Sequence, residues 1–420
     1  MFIIQWWKEL SGEVTIAGSK NAALPLIAGC LLVKGKIQVS NVPDILDVHD
    51  FIHFLKSLGS KVDFTWDVLQ LDNSHISMEN IDTSRIERTR AWIYFLAWLL
   101  HHFWEANMPF PSGDKIGKRP IDEHLNGYVW MWYELNQTDD RLIFSWAWSE
   151  DDVELMSYFA VSATINLILG AAVRKGSTTI KLAAFEPHIF NLIDMLRSLG
   201  TQIDIRYDHT IVIHGGTEFK NDTKHEIVSD YLQSGTFAII AALCAKDYID
   251  IKRARIDDLA AFLHKLHATW VKTEDLWNDT LRVHRARNLK AVEIQTNIFP
   301  WFPTDLMPLF SVLMTQCEGT SRIHEILYEW RLNWLVEYER IGWEPRIINL
   351  HEAKITGPTP FIGNTVNSWD LRSGAAMVIA WLIARGETKV ENIYWIKRGY
   401  DDFLWKLLKL GAKIEEHEEV

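Results

Sequence analysis

Cysteine is scarce in this chain, which has only three such residues among 420. Cys30, Cys244 and Cys317 lie far apart in apolar stretches, and no C-x-x-C pair occurs. This scarcity argues against a disulfide-stapled scaffold and against a zinc site built from paired thiols. We therefore expect three buried thiols in a protein of a reducing compartment.

Long apolar runs and an excess of positive charge are also missing. The start, MFIIQWWKEL, holds too short an apolar run for a signal peptide, and stretches such as AWIYFLAWLL reach about half of a membrane span. The net charge of −12 argues against a nucleic-acid surface, although it leaves room for a local basic pocket that binds a small anion. We expect a soluble, cytoplasmic protein whose partners include neither a membrane nor a nucleic acid.

Several motifs of nucleotide, metal and acyl-transfer sites are absent as well. The segment GDKIGK imitates a phosphate-binding P-loop, but its glycines are one residue too close and Arg119 replaces the required Ser or Thr. No G-x-G-x-x-G follows a predicted strand, and neither H-E-x-x-H nor G-x-S-x-G occurs. His101-His102 and His264-x-x-His267 have no cysteine or acid at zinc spacing, so we interpret them as surface or core histidines.

What the sequence does contain is a repeat of about 70 residues. FLKSLGSKVDF, MLRSLGTQIDI and LLKLGAKIEE are close copies, and FLHKLHATWVK and EYERIGWEPRI are weaker ones. The glycine of each copy, or its equivalent, stands at position 59, 200, 269, 342 or 411. The first interval is twice as long as the others, which predicts another copy near residue 130, with Trp132 at the glycine position.

A second element precedes each copy at a regular distance. A helical apolar run, a turn and a strand, as in LLVKGKIQV and AVRKGSTTI, come about 25 residues before the glycine. The sequence therefore predicts six units of helix, strand, turn, helix and strand, and hence an α/β fold. Two domains of three units are the natural division; a solenoid is the alternative, but common solenoid repeats are shorter. We place one domain at 20–229 and the other at 1–19 plus 230–420, because the strand GEVTIAGSK precedes the first unit.

Five basic residues stand beside a glycine, a proline or a helix start. They are Lys20 in GSKNAA, Arg119 in GKRPID, Arg331 in YEWRLNW, Arg372 in WDLRSGA and Arg398 in IKRGYDD. Arginine binds phosphate or carboxylate through two parallel N–H groups, lysine supplies a point charge, and a helix start adds free N–H groups. Their matching places in the repeats indicate an anion pocket, whereas each cation alone would be interpreted as a solvated surface charge.

Three acids stand out by their surroundings. Asp114 lies in FPSGDKIGKRPID, on a glycine-bounded loop that also carries three cations. Asp305 in WFPTDLMPLF and Asp230 in SDYLQSGTF each stand at the start of a predicted helix. For these two, a helix N-cap is the alternative to a role in chemistry, because aspartate caps helices well.

Several motifs carry a resemblance to a known enzyme family. GSKNAALP, GDKIGKRPIDEHL, FPTDLMP and KRGYDD occur in the order and at the spacing of the UDP-N-acetylglucosamine 1-carboxyvinyltransferase family, and SATINLIL, FEP and SGTF match more loosely. The chain resembles this enolpyruvyl transferase family over essentially its whole length. The family fold has two inside-out α/β, barrel-like domains of three repeats each, which agrees with the six units above. The shikimate-pathway enolpyruvyl transferases share that fold, but their GNAGT phosphate motif is missing here.

The resemblance implies a reaction. Members of the family transfer enolpyruvyl from phosphoenolpyruvate to the 3-hydroxyl of UDP-N-acetylglucosamine and release phosphate. This is the first committed step of peptidoglycan synthesis in the cytoplasm, on which cell-wall biogenesis, cell shape and cell division depend. The resemblance implies no cofactor, no metal and no obligate protein partner. Two alternatives stay open: a non-catalytic relative that binds a sugar nucleotide or a protein partner, and a shikimate-type enolpyruvyl transferase.

The resemblance assigns the five cations to phosphoenolpyruvate, whose phosphate and carboxylate need several positive charges. By this assignment the phosphate is held by Lys20, Arg119 and Arg398. The carboxylate lies near Arg331 and Arg372.

The resemblance also implies an acid, a base and a nucleotide-sugar site. Asp114 would be the general acid that protonates the methylene carbon, on a loop that closes over the substrates, since family members carry Cys or Asp there. Asp305 would be the base that takes the proton of the sugar hydroxyl. The positions that match contacts to the nucleotide sugar are Asn21, Arg90, Pro120, Ile121, Asp122, His124 and Leu327.

The 20 tryptophans are a high number for a residue that most chains use sparingly. Several replace residues that are usually small in the family, or stand beside Arg331: Trp92, Trp132, Trp270, Trp330, Trp343 and Trp381. In a packed core each such enlargement costs about 1–3 kcal/mol, and several together would rival the stability of a domain. Three explanations stay open: local adaptation of the fold, an engineered chain, or residues recorded incorrectly at these positions.

Overall fold

The computed structural model describes residues 1–4, 8–77, 79, 81–111, 116–146, 149–216, 218–343 and 345–417. By their mutual contacts these residues form two compact units. The N-terminal unit takes in the described residues within 18–113 and 119–228. The C-terminal unit takes in those within 1–17, 114–118 and 229–420.

Helices and strands alternate along the whole chain. The helices are α1 Lys20–Cys30, α2 Leu46–Ser57, α3 Leu96–Phe103, α4 Asp122–Trp130, α5 Val161–Val173, α6 Pro187–Leu199, α7 Tyr231–Cys244, α8 Ala260–Ala268, α9 Met307–Thr315, α10 Leu371–Leu382, α11 Tyr394–Lys397 and α12 Phe403–Leu410. The strands are β1 Phe2–Ile4, β2 Leu10–Thr15, β3 Lys36–Ser40, β4 Lys61–Thr65, β5 Val68–Asp72, β6 Glu105–Pro109, β7 Tyr133–Gln137, β8 Arg141–Trp146, β9 Val153–Met156, β10 Gly176–Lys181, β11 Gln202–Arg206, β12 Thr210–Gly215, β13 Thr223–Glu226, β14 Ala245–Lys252, β15 Thr273–Asp275, β16 Thr280–His284, β17 Glu293–Gln295, β18 Gly319–His324, β19 Arg346–Asn349, β20 Glu352–Gly357, β21 Thr365–Asn367, β22 Thr388–Glu391 and β23 Ile414–Glu416.

The predicted repeat of helix, strand, helix and strand is present in both units. In the N-terminal unit it runs α1-β3-α2-β4-β5, α3-β6-α4-β7-β8 and α5-β10-α6-β11-β12. In the C-terminal unit it runs α7-β14-α8-β15-β16 and α9-β18-β19-β20, with the 3-10 helix Asn333–Ile341 in place of the second helix, and α10-β22-α12-β23. The copy expected near residue 130 is confirmed, because α4 is followed directly by β7.

The sheets repeat the same pattern as the sequence. In the N-terminal unit the strand orders are β13-β3-β5-β4, β9-β10-β12-β11 and β6-β8-β7. In the C-terminal unit they are β2-β14-β16-β15, β17-β18-β20-β19 and β21-β22-β1-β23. In each four-stranded sheet the first pair is parallel and the other two are antiparallel.

The most apolar helices lie in the centre of each unit, and the sheets lie outside them. Every residue of α7 and α10 is buried, and so are the last eleven of the thirteen residues of α5. A helix that is apolar on all sides must be surrounded by protein, whereas strands such as β4, with alternating burial, keep one face toward water. The predicted α/β class, with two sets of three repeats, is confirmed.

The three cysteines end central helices or follow them. Cys30 and Cys244 are the last residues of α1 and α7, and Cys317 comes two residues after α9; all three are buried and free. Burial raises the pKa of each thiol to about 12, so the predicted buried thiols are confirmed. Within the described ranges, no helix combines the length and the apolar character that a membrane span requires.

The tryptophans that replace small residues fall into two classes. Trp92, Trp343 and Trp381 are buried, so the cost of enlarging a packed core applies to them. The others, Trp132, Trp270 and Trp330, are exposed and take no part in a core.

Candidate active site

Asp305 lies between two buried arginines in the C-terminal unit. It sits in the 3-10 turn Thr304–Leu306 that leads into α9. Arg331 donates from Nη2 to Asp305 Oδ1 at 2.8 Å, and Arg372 donates from Nε to Oδ2 at 3.2 Å. Burial raises the pKa of Asp305, but Arg372 and Arg331 outweigh it and hold that pKa well below its usual range. Asp305 is therefore an ionised acceptor and not a helix N-cap.

Arg372 is fixed by the way in which its helix begins. Asp370 caps α10, and its Oδ1 accepts a hydrogen bond from the backbone N–H of Arg372 at 2.8 Å. The guanidinium carbon lies 5.2 Å from the ring centroid of Tyr400. Burial lowers the pKa of Arg372, whereas Tyr400 and the nearby carboxylates raise it more, so the guanidinium is charged.

Two N–H groups of these arginines indicate an anion site. Arg331 Nε and Arg372 Nη1 are buried and have no hydrogen-bond partner among the described residues. Buried donors are normally paired, and guanidinium groups pair most strongly with phosphate or carboxylate. The two arginines can therefore hold Asp305 and, through these remaining donors, a second anion.

Arg398 lies close in sequence to this cluster. It follows α11, is largely buried, and its guanidinium carbon lies 5.3 Å from the ring centroid of Trp395. Two residues later Tyr400 lies against Arg372. The KRGYDD motif thus supplies one cation and also the ring beneath another.

Leu327 is connected to Asp305 through a residue that the sequence analysis did not single out. Glu325 is fully buried, and its Oε1 accepts a hydrogen bond from the Leu327 backbone N–H at 2.8 Å. Its Oε2 accepts one from the hydroxyl of Thr304, the neighbour of Asp305, at 2.6 Å.

In the N-terminal unit, Lys20 begins α1 and faces a buried acid. Its Nζ lies 2.6 Å from Asp47 Oδ2, and the two side chains are 15% and 2% exposed. Asp47 belongs to the first turn of α2. This ion pair fixes the position of the ammonium group, and Asn21 follows on the same turn of α1.

Arg90, Arg119 and Pro120 lie together near the start of α4. Arg90 Nη2 donates to the carbonyl oxygen of Pro120 at 3.0 Å. Burial raises the pKa of Tyr94 to about 12, and both Arg90 and Arg119 act against that rise, which places both guanidinium groups near its hydroxyl. The next residues of the predicted nucleotide-sugar site, at the junction with α4, are Ile121 and Asp122.

His124 is the buried member of this group. Asn166 Nδ2 donates to His124 Nδ1 at 3.1 Å, and His124 Nε2 lies 3.1 Å from Ser162 Oγ. Because an amide nitrogen can only donate, Nδ1 is the acceptor and Nε2 carries the proton. Burial, with a smaller effect from Arg90, lowers the pKa of His124 to about 3. His124 is therefore neutral and can act as a hydrogen-bond donor.

The loop that carries the predicted general acid is described only in part. Asp114 lies outside the described residues. Residues 116–118 belong to the C-terminal unit, and two bonds hold them there: the Ile116 carbonyl accepts from the Trp330 N–H at 3.1 Å, and the Lys118 N–H donates to Glu329 Oε1 at 2.9 Å. A Cβ at Gly117, where φ is 142°, would come within 2.5 Å of Glu329 Oε2, which explains the glycine.

The predicted site residues thus form two groups, one in each unit, and the helix-cap alternative is correct for one acid only. Asp230 caps α7 by accepting from the Leu232 N–H at 2.9 Å. Asp47, Glu325 and Asn166 are site residues that sequence reasoning missed. Among the described residues no cluster of His, Cys, Asp or Glu could hold a metal ion. The paired histidines are exposed, as predicted for surface residues: His101, His102, His264 and His267.

Comparison with known proteins identifies the family. The family described as EPSP synthase (3-phosphoshikimate 1-carboxyvinyltransferase) matches residues 4–407. The UDP-N-acetylglucosamine 1-carboxyvinyltransferase of Thermodesulfovibrio yellowstonii is 34% identical over 409 residues, which cover 97% of each chain. That of Mycobacterium leprae is 34% identical over 417 residues, which cover 99% of this chain and 98% of the relative.

Two solved structures share the fold. The enolpyruvyl transferase NikO from Streptomyces tendae has a TM-score of 0.88 at 22% identity and covers 99% of this chain and 98% of its own. An EPSP synthase from Acinetobacter baumannii has a TM-score of 0.73 at 14% identity and covers 99% and 100%. The predicted enolpyruvyl transferase fold is therefore confirmed. Because relatives about one third identical span the whole chain, it belongs to the UDP-N-acetylglucosamine 1-carboxyvinyltransferase family of enolpyruvyl transferases.

Proposed function

We propose that this chain transfers the enolpyruvyl group of phosphoenolpyruvate to the 3-hydroxyl of UDP-N-acetylglucosamine and releases phosphate. A bond forms between the sugar oxygen and C2 of phosphoenolpyruvate, and the bond from C2 to the phosphate oxygen breaks. One observation carries the proposal: Asp305 is held by Arg331 and Arg372, which keep two buried donors that no described residue pairs. The names of the full-length relatives support the choice of acceptor.

The Asp305 cluster fits the deprotonation of an alcohol beside an anionic substrate. The two arginines now lower the pKa of Asp305. When an anionic group of phosphoenolpyruvate binds to Arg331 Nε and Arg372 Nη1, its negative charge offsets part of the positive charge that acts on Asp305. The pKa of Asp305 then rises, and the carboxylate becomes a stronger base at the moment when both substrates are present.

The proton balance requires an acid as well as a base. Addition moves the hydroxyl proton to Asp305 while the methylene carbon of phosphoenolpyruvate gains a proton from an acid. Elimination then takes one proton back from that methyl carbon as phosphate leaves. Asp114 is our candidate for the acid, and this assignment rests on the family resemblance alone.

The other roles are assigned from the family resemblance. The phosphate is assigned to Lys20, Arg119 and Arg398, and the nucleotide sugar to Asn21, Arg90, Pro120, Ile121, Asp122, His124 and Leu327. Each unit is proposed to be one enolpyruvyl transferase domain, with the division at residues 20 and 229. We place the reaction in the cytoplasm, where both substrates occur.

Phosphate release from phosphoenolpyruvate tests this function. We expect release only when UDP-N-acetylglucosamine is added, and not with shikimate 3-phosphate, which would reveal the shikimate-type alternative. Arg372→Met and Asp305→Asn serve as inactive controls. Binding of the nucleotide sugar without any phosphate release would show a non-catalytic relative and would overturn the proposal.

A further inference from the structure

Glu325 is a buried acid whose carboxylate bonds to two segments of the C-terminal unit. It directly follows β18 and has no exposed surface. Its Oε2 accepts from Thr304 Oγ1 at 2.6 Å, and its Oε1 accepts from the backbone N–H groups of Leu327 at 2.8 Å and Tyr328 at 3.3 Å. An isolated buried carboxylate is very costly, so these three bonds are what keep Glu325 in place.

The two segments are the ones that carry the base and its arginine. Thr304 precedes Asp305 in one 3-10 turn, and the second segment runs from Leu327 to Arg331. The Tyr328 ring centroid lies 5.9 Å from the Arg331 guanidinium carbon. The contact of 2.8 Å between Arg331 and Asp305 therefore spans two segments that Glu325 ties together.

The backbone of Glu325 is itself held on a rigid sheet. Its N–H donates to the His351 carbonyl at 2.8 Å, and its carbonyl oxygen lies 2.6 Å from His351 Nδ1. The next N–H, of Ile326, donates to Thr296 Oγ1 at 3.2 Å. A side chain anchored in this way can set the position of a neighbouring turn, as site-supporting residues do.

We propose that Glu325 is a positioning residue for the reaction: it holds the turn of Asp305 and the segment of Arg331 in register. This inference rests on the proposed function. We assign the role to the hydrogen bonds, which a glutamine can keep: its amide can accept from the two backbone N–H groups and donate to the Thr304 hydroxyl. The geometry thus provides a matched pair of variants.

Four substitutions test the inference. Thr304→Val and Glu325→Met remove the bonds at nearly constant volume and should lower kcat by roughly tenfold to a hundredfold, with KM for phosphoenolpyruvate within about twofold. Thr304→Ser and Glu325→Gln keep the bonds and should stay within about threefold of the original kcat. In the Glu325→Met background, Thr304→Val should add little, because the bond is already absent. An unchanged kcat in Thr304→Val, with only a lower Tm, would overturn the positioning role.

Amide hydrogen exchange separates this inference from the proposed function. In Glu325→Met the Leu327 and Tyr328 amides should exchange faster, while amides of the N-terminal unit keep their rates. That result supports the tether even if the original chain releases no phosphate. Unchanged exchange at both amides would refute the tether whatever the activity.

An independent observation concerns the tryptophans. The turn after the second helix of the repeat has a residue with positive φ in each of the six copies. In four copies that residue is glycine, with φ of 87°, 113°, 90° and 104°: Gly59, Gly200, Gly342 and Gly411. In the other two copies it is tryptophan, with φ of 69° and 70°: Trp132, at the predicted glycine position, and Trp270, one residue after the predicted position 269.

Other tryptophans occupy the same region of backbone space. Trp104 caps α3 with φ of 63°, and Trp66 and Trp277, with φ of 60° and 69°, lie in the β4–β5 and β15–β16 turns. Bulky residues are outliers in this region, which glycine adopts without strain. All five indoles are exposed, so no core packing offsets the strain.

Buried tryptophans show a complementary misfit. The indole Nε1 atoms of four of them are buried without a hydrogen-bond partner in the described part of the chain: Trp92, Trp98, Trp334 and Trp381. A buried tryptophan N–H normally finds an acceptor. Among the described residues, tryptophan thus shows both a strained backbone at the surface and unpaired indole N–H groups inside.

We infer that glycine occupies positions 66, 104, 132, 270 and 277 in the chain as its natural cell makes it. At the repeat turn every residue with positive φ is glycine or tryptophan, which indicates one codon rather than scattered mutations. UGA is such a codon, because different genetic codes read it as tryptophan or as glycine. The tryptophans at these five positions are then residues recorded incorrectly, and neither local adaptation of the fold nor engineering accounts for them.

Peptide mass spectrometry of the protein from its natural source tests this directly, and glycine is expected at the five positions. Tryptophan in those peptides would overturn the inference. In recombinant protein, Trp66→Gly and Trp132→Gly should each raise Tm by about 2–4 °C, because the strain is removed. Trp405→Gly, an exposed site inside α12, is the control and should lower Tm, since glycine weakens a helix. A Tm that does not rise in the first two variants would also count against it.

Discussion

Asp305→Asn gives the sharpest single perturbation of the site, because it keeps the shape and removes both the base and the charge between two arginines. Arg331 and Arg372 are almost fully buried, and Asp305 contacts both of them. Removing one partner of a fully buried ion pair costs about 3–5 kcal/mol. The Asp305 side chain is 28% exposed, so we expect a smaller loss of about 2 kcal/mol in the free energy of unfolding.

The pH dependence of that loss has a definite sign. Folding lowers the pKa of Asp305, so its ionised form stabilises the folded state above its unfolded pKa, near 4. The difference in the free energy of unfolding between the original chain and Asp305→Asn should therefore be constant from about pH 7 to pH 5. It should shrink as the pH falls below about 4. The opposite trend would mean that Asp305 is protonated in the folded protein.

Urea unfolding of both proteins at several pH values measures this deficit, and phosphate release measures the lost base. We expect kcat to fall by about 10²–10⁴-fold. The control is Glu150→Gln, which breaks an exposed ion pair with Lys175 and should leave unfolding and turnover unchanged. Equal stability of Asp305→Asn and the original chain at pH 7 would refute the reasoning about the buried arginines.

Three further predictions concern other parts of the molecule. Asp114→Asn should abolish turnover but leave binding of UDP-N-acetylglucosamine intact by calorimetry; near-normal turnover would remove Asp114 from its role. His124, with a pKa lowered to about 3, resists protonation when folded, so its contribution to stability declines as the pH falls below about 6.5. His124→Gln should lack that decline in urea unfolding, and an identical pH profile would contradict a buried neutral imidazole. The epoxide fosfomycin should give no adduct in intact mass spectrometry, because the thiols of Cys30, Cys244 and Cys317 are buried with pKa values of about 12; a stoichiometric adduct on the 110–122 loop would contradict this.

Much of the fold was predictable because each repeat carries its own local signals. Apolar periodicity located α1 and α2, and the glycine after the second helix marked the turn in most copies. The parallel partner strands were harder to assign. β13 pairs with β3 although about 185 residues separate them, and four residues carry too little pattern to reveal such a pairing.

Site residues were predictable only where the residue type and its position in the sequence together indicate a function. Arg331 and Arg372 stood out as cations at helix starts. Their hydrogen bonds to Asp305, however, depend on a contact between segments that are distant in sequence. Aspartate at a helix start suits a cap equally well, so local sequence could not choose between the two. Glu325 and Asp47 gave no comparable signal, since each acts through partners that folding alone brings near.

The product of the reaction tests the central claim most directly. The chain is incubated with phosphoenolpyruvate and UDP-N-acetylglucosamine, and the nucleotide sugar is weighed by mass spectrometry while free phosphate is counted. We predict a nucleotide sugar heavier by one enolpyruvyl group in place of a hydrogen, formed in equal amount to the phosphate. An unmodified nucleotide sugar, or phosphate released without it, would contradict the account.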